Sequence, residues 1–398
     1  MKSLIFSLTN LATQPLSEYL LYFKLKETNI DIDIAAFSFD TRFKQKTTDS
    51  LVRPRSLEPF QKDCLKFSAN KYNLFKSKCL SYYLNDAGHI LTRQVGRNTD
   101  LLVLKAIAKQ SHNIKHIVYV MNSVGAGVGL GGKHPDYYLC PGLFWEKLLK
   151  DNKGFLTGLK KYNLPFLDEA KENFQGKTIR SGLVSWLEIE DSTLHVSKEN
   201  FLKAYGIKNN FVIYCLESTP KYIDEKGKPR GKALSQTIET IKKIQKVLGN
   251  DYDILIKGHP FQYQKPYPWY NRKQLQLNIF DKYGKILRPD DGYHALRFAD
   301  FAVTGNSSVC YEAALCGCTS VAIADNNSDY YKKDGIFVGG FFTPELYGFL
   351  FNNFESFEEK IDEVINFHNE NQRLVYLKEY GNFFKTEDLK NILVMNEK

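Results

Sequence analysis

No stretch of this 398-residue chain approaches the ~20 consecutive apolar residues that a membrane-spanning helix needs. The start, Met1-Lys2-Ser3-Leu4-Ile5-Phe6-Ser7, turns polar too soon for a secretory leader and reads as a first buried strand. Without export, the seven cysteines (Cys64, Cys79, Cys140, Cys215, Cys310, Cys316, Cys318) are expected as reduced thiols. They show no paired spacing. Cys316 and Cys318 are close, but they lack a second pair and a nearby histidine, so a structural zinc site is not expected. Neither is a bound divalent metal, because no carboxylate cluster is present. Zinc-finger spacing, RNP-like aromatics and a basic helix are all missing, which argues against a nucleic-acid partner. These gaps leave a cytoplasmic protein, with the inner face of the membrane as its farthest expected station.

The net charge is +9, from 54 basic and 45 acidic residues spread along the chain. Such a surface is either a solvated lysine-rich face or an attraction for anionic ligands, acidic glycans and a negative membrane leaflet. Short apolar runs alternate with helix-like runs. Leu4–Ser7, Ile32–Phe37, His116–Met121, Tyr137–Cys140 and Lys177–Val184 read as strands, with a helix over Leu16–Lys26. A second series follows: strands at Phe211–Leu216, Asp253–Lys257, Phe301–Thr304 and Thr319–Ala324, and helices at Leu234–Leu248 and Ser308–Leu315. Repeated strand–helix units predict an α/β protein of two Rossmann-like, doubly wound domains facing across a cleft. The expected bounds are 1–180 for an acceptor domain, 181–370 for a nucleotide-donor domain, and 371–398 for a helical tail.

In parallel sheets, ligands sit beyond the carboxyl ends of the strands. Two strand ends in the second half therefore stand out: Lys257-Gly258-His259-Pro260, and Thr304-Gly305-Asn306-Ser307-Ser308 running into a helix that carries Glu312. An imidazole at a sheet rim can donate to a phosphate or protonate a leaving oxygen. Gly305 lets a ligand approach the backbone, and Ser307 and Ser308 with the helix start suit a phosphate; the same serines also serve as plain helix caps. Glu312, one turn on, can accept from ribose hydroxyls or simply face solvent. Lys257 is a secondary candidate. Glu217, Ser218 and Thr219 follow the first strand of this half and share its edge, Glu217 as an acid or base and the hydroxyls as phosphate ligands. Asp290-Asp291-Gly292 reads as a solvated turn, and Gly317 as a left-handed helix cap.

In the first half, Gly127-Val128-Gly129-Leu130-Gly131-Gly132 satisfies the glycine spacing of a dinucleotide fingerprint. Pro135 interrupts the helix that fingerprint needs, so a cleft-lining loop with Gly125, Gly127 and His134 is expected instead. Asp86, His89, His134 and Asp136 are all open as the base, while Arg93 and Arg97 can hold an acidic acceptor or cover the surface.

Over roughly Phe211–Ile323 the His259-Pro260 and Ser307-Ser308 pairs resemble GT-B glycosyltransferases of bacterial surface-polysaccharide assembly: capsule-type Kdo transferases, bacterial sialyltransferases and, more distantly, CDP-glycerol glycerophosphotransferases. The resemblance implies a metal-independent enzyme with no cofactor beyond its nucleotide-sugar donor. It implies transfer of sialic acid or Kdo from a CMP-linked donor to a glycan or glycolipid acceptor, with His259, Ser307 and Ser308 on the donor phosphate. Asn85-Asp86-Ala87-Gly88 partly echoes the acidic motif of the sialyltransferases, which would make Asp86 the base. Where the glycerophosphotransferases carry His-Gly, this chain has Asn122-Ser123-Val124-Gly125. The alternatives are a CDP-polyol phosphotransferase, a UDP-sugar epimerase of the same architecture, and a noncatalytic nucleotide-sugar-binding protein.

Overall fold

The computed structural model describes residues 2–7, 15–37, 47–58, 65–67, 87–93, 114–119, 135–140, 142, 146, 176–216, 222–223, 229–230, 234–259, 263, 277–304, 309–323, 348–351, 353–367 and 384–394. The chain forms two units. One comprises 1–46, 56–188 and 377–398; the other comprises 47–55 and 189–376. The change of unit after the first sheet thus falls at Glu188, inside the helix Trp186–His195. Residues 377–398 rejoin the first unit instead of standing apart as a tail.

The first unit is built on β1 (Lys2–Ser7), α1 (Pro15–Glu27), β2 (Ile32–Phe37), β3 (Leu65–Phe67), β4 (Ala87–Arg93), β5 (Lys115–Tyr119), β6 (Tyr137–Cys140) and β7 (Lys177–Arg180). Its sheet runs β3-β2-β1-β4-β5-β6-β7, every pairing parallel. Alternation puts Ile5, Ile34, Leu91, Ile117, Tyr119 and Leu139 in one buried cluster, closed by Tyr22 and Leu25 of α1. Leu389, Ile392 and Leu393 of the last helix (Thr386–Val394) join the same cluster, so the chain end completes this core. One carboxylate interrupts the apolar packing. Glu18, in the first turn of α1, is fully buried and accepts from the Tyr119 hydroxyl at 2.8 Å.

The second unit opens with α2 (Trp186–His195), whose last turns belong to it, and α3 (Lys198–Tyr205). It continues with β8 (Asn210–Cys215), β9 (Tyr222–Ile223), β10 (Pro229–Arg230), α4 (Leu234–Leu248), β11 (Tyr252–Lys257), β12 (Lys285–Ile286), α5 (Gly292–Phe298), β13 (Phe301–Val303), α6 (Val309–Cys316), β14 (Thr319–Ile323), β15 (Phe349–Phe351), α7 (Phe354–Glu359) and α8 (Ile361–Ile365). The sheet order is β12-β11-β8-β13-β14-β15, again wholly parallel, with β9 and β10 as a small antiparallel pair. Val212, Tyr214, Ile254, Ile256, Phe301, Val303 and Val321 share one face with Ile241 and Ile244 of α4 and Phe357 of α7. The alternate residues of those strands point to the opposite face, on which α5 and α6 pack together and α6 meets β14. Both sheets are the doubly wound α/β type that the alternation predicts. Gly317 ends α6 at φ +78°, where Cys318 N–H donates to Ala313 O at 2.8 Å, as a left-handed cap requires.

Nine residues of the N-terminal sequence, 47–55, belong to the second unit. They close on themselves, Thr48 N–H donating to Arg55 O and Arg55 N–H to Thr48 Oγ1, each at 3.0 Å. Asp290 and Asp291 hold them from the other side. Asp49 N–H donates to Asp290 Oδ2 at 2.7 Å, and Leu51 N–H to Asp291 Oδ2 at 2.8 Å. Ser50 Oγ donates to Asp291 Oδ1, and the Tyr205 hydroxyl to Asp291 Oδ2 at 2.5 Å. Arg53 and Arg55 both pair with Asp191 of α2. The pair Asp290-Asp291, which composition alone assigns to solvent, therefore anchors this strap, and Asp291 is fully buried.

Candidate functional site

The carboxyl ends of β8, β11 and β13 lie side by side in the middle of the second sheet. Leu216 N–H donates to Lys257 O, and Leu287 N–H to Ile256 O, both at 2.9 Å, so the ladder runs to the rim. There Gly258 lets two side chains pack against the backbone. A Cβ at that position would meet Leu277 Cδ2 at 2.8 Å and the Tyr263 ring at 3.0 Å. Tyr263 ties the strand end to its neighbour, accepting from Gly258 N–H at 2.8 Å and donating to Leu287 O at 2.7 Å. His259 follows this anchored strand end half-buried. Burial, with the Lys257 ammonium adding to it, pushes the imidazole down to about 3. At neutral pH the ring is therefore uncharged in the ligand-free chain, a donor and acceptor rather than a cation.

Lys257 does not turn to the α4 face. Strand alternation from Ile254 and Ile256 puts it on the opposite side, and its stem passes Gly292, the first residue of α5. A Cβ on Gly292 would stand 3.1 Å from Lys257 Cε. Directly across the ladder from Lys257 is Cys215. Burial raises this thiol to about 12, while the Lys257 ammonium pulls it down and the Glu312 carboxylate pushes it up. Cys215 thus lies within electrostatic reach of both charges. Glu312 itself, in the first turn of α6, is buried rather than solvated.

Of the residues singled out from sequence, His259, Lys257 and Glu312 are therefore brought to one edge. Pro260, Glu217, Ser218, Thr219, Gly305, Ser307, Ser308, Asp86, Gly125, Gly127 and His134 lie outside the described residues. In the first unit, Asp136 accepts from His116 N–H at 2.7 Å and so serves as a backbone anchor. His89 is buried within β4, and Arg93 ends that strand. Among the described residues no cluster of three or more His, Cys, Asp or Glu side chains could hold a metal ion, and no helix is long and apolar enough to cross a membrane. Cys215, beside Lys257 on the ladder, has no place among the sequence candidates; its signal was its position, where an apolar run meets a polar segment.

No protein-family model matches the sequence, and no curated protein does. Similarity appears among solved structures. The UDP-GlcNAc 2-epimerase of Methanocaldococcus jannaschii superposes with a TM-score of 0.55 at 16% identity, over 99% of this chain and all of the other. A variant of the wall teichoic acid polymerase TagF gives 0.57 at 13%, over 99% of this chain and 88% of the polymerase. The S. aureus MnaA–UDP co-structure gives 0.54 at 12%, over 100% and 97%. At such identities the likeness establishes the fold: two parallel-sheet Rossmann-like units of GT-B type.

Proposed function

We propose that this chain is an enzyme that breaks the bond joining a nucleotide's phosphate to an activated group, with the nucleotide held at the carboxyl edge of the second sheet. The observation that carries the reading is the convergence of His259, Lys257 and buried Glu312 on that edge. The phosphate meets Lys257 and His259, and Glu312 accepts from the ribose. Ser307 and Ser308 complete the phosphate contact, with Gly305 permitting its approach. Charge that builds on the departing phosphate is stabilised by donors already in place.

The reaction we favour is transfer of a polyol phosphate or sugar from a diphosphate-linked donor to a glycan or glycolipid acceptor, since both groups of structural relatives bear names tied to such nucleotides. With a CDP-linked polyol, the acceptor oxygen attacks the distal phosphorus and the phosphoanhydride bond to CMP breaks. CMP leaves with the electron pair, and the acceptor proton passes to a general base, for which Asp86 is our candidate. The CMP-linked ulosonic sugars implied by the motif resemblance use the same departing nucleotide, but the structural likenesses lean to diphosphate donors. The second reading is a UDP-sugar epimerase, favoured by the match to the archaeal epimerase along its whole length. The net charge of +9 suits an anionic acceptor in either membrane or polymer form.

Thermal shift with CMP, CDP and UDP separates these readings. Stabilisation by CDP supports polyol-phosphate transfer, by UDP epimerisation, and by CMP alone ulosonic transfer; stabilisation by none removes the enzyme reading. His259→Ala is expected to cut turnover about 100-fold while leaving the melting temperature within a degree or two. Nucleotide binding should also draw a proton onto His259, because a phosphate beside the ring favours its charged form. Calorimetry at pH 6 in buffers of different ionisation enthalpy would detect that uptake in the wild type and lose it in His259→Ala.

A further inference from the structure

Val303 pairs with Tyr214, and Lys257 pairs with Cys215. One step further along β13, Thr304 therefore falls beside Cys215, and its N–H continues the ladder to Val321 O at 2.9 Å. Phe301 and Val303 face the α4 side, so Thr304 faces the other, with Cys215 and Lys257. Three central strands thus end in a single row of ammonium, thiol and hydroxyl. At about 4.8 Å per strand the row spans about 10 Å, close to the reach of a ribose and its first phosphate. Thr304 is 1% exposed, and its Oγ1 has no hydrogen-bond partner.

A buried hydroxyl without a partner is costly to keep, and native proteins rarely keep one without a reason. Thr304 sits at the rim where ligands of parallel sheets arrive, on the face whose thiol senses both Lys257 and Glu312.

We infer that Thr304 Oγ1 is a ligand-binding hydroxyl, satisfied by an oxygen of the bound nucleotide once the rim admits it. This rests on the nucleotide site of the proposed function and adds a contact to it. Lys257 stands at one end of the row, and Thr304 with Glu312 at the end toward α6. Thr304 belongs to substrate recognition, so its loss acts on affinity before it acts on the fold.

Thr304→Val, of nearly the same shape, tests this with calorimetric titration of CMP, CDP and UDP into the full chain. The unliganded variant should melt at or above the wild-type temperature, because the removed hydroxyl had no partner. Its dissociation constant for whichever nucleotide binds the wild type most tightly should rise about tenfold, and Thr304→Ser should restore it. Undiminished affinity in Thr304→Val overturns the inference and leaves the nucleotide site standing. A lower melting temperature of the unliganded Thr304→Val also overturns it, since the hydroxyl would then have been bonded within the protein. Failure of the wild type to bind any of the three removes the nucleotide site and the role of Thr304 together.

Discussion

Asp291→Ala is expected to lower the melting temperature of the second unit by about 10 °C, at about 3 kcal/mol or more of lost stability. The carboxylate is fully buried and accepts from Leu51 N–H, Ser50 Oγ and the Tyr205 hydroxyl. Burial pushes its carboxyl up, while the hydrogen bonds from Ser50, Tyr205 and Leu51 pull it back. Alanine removes the charge but leaves three donors behind. Tyr205 also accepts from Arg288 N–H at 3.0 Å, so the turn entering α5 loosens with the strap. Asp291→Asn keeps the shape and one acceptor, and should lie between alanine and wild type. Hydrogen exchange at 47–55 should rise in Asp291→Ala before global unfolding does. Wild-type melting in that variant would show that the strap contributes nothing to the second unit.

Acid should destabilise both units before carboxylate titration is complete. His116 lies wholly inside the first sheet with its ring 2.7 Å from Thr92 Oγ1, and burial pushes it down to about 3. His294 on α5 is pushed down to about 4, first by burial and then by Arg297; Asp191 opposes this, and Arg55 and Arg53 reinforce it. In the unfolded chain each takes up a proton near 6.5. Depressed values in the folded state mean that the unfolded chain binds more protons between those limits. Stability is then fully present above about pH 6.5 and falls as the pH drops, the loss levelling off below about 4 for His294 and below about 3 for His116. For these two groups the loss is of the order of a few kcal/mol each. Calorimetry from pH 7 to pH 4 should show falling melting temperatures. His116→Gln should flatten the trend for the first unit and His294→Gln for the second. A flat profile in the wild type would mean that neither ring is buried neutral.

The sheets were legible because buried parallel strands are apolar throughout. Phe211–Leu216, Asp253–Lys257 and Thr319–Ala324 announce themselves by composition, and β8, β11 and β14 fall within a residue or so of them. His259 was legible because it follows such a run. Glu312 was half legible: its place on α6 could be counted, but its burial depends on the sheet beneath it. α5 begins at Gly292, directly after Asp290 and Asp291, which the strap ties down at the helix entry. Nothing local could reveal that tie. Asp49 and Asp290 are separated by 241 positions, and Thr47-Thr48-Asp49-Ser50 has the composition of any solvated loop. Thr304 illustrates the same limit, since an absent partner is a property of three dimensions.

The strap and the C-terminal return constrain how the protein can be made. Residues 47–55 leave the ribosome long before the residues that hold them, and the helix Thr386–Val394 that closes the first core follows the whole of the second unit. A nascent chain therefore cannot finish its first half and then its second, as consecutive domains commonly do. The first core must wait until the second unit has been made. A gene cut between the codons for Glu188 and Ile189 would give one product without its closing helix and another in which Asp291 keeps Tyr205 but loses Ser50 and Leu51. Such halves should fail when expressed apart and recover only when the missing pieces are restored to each.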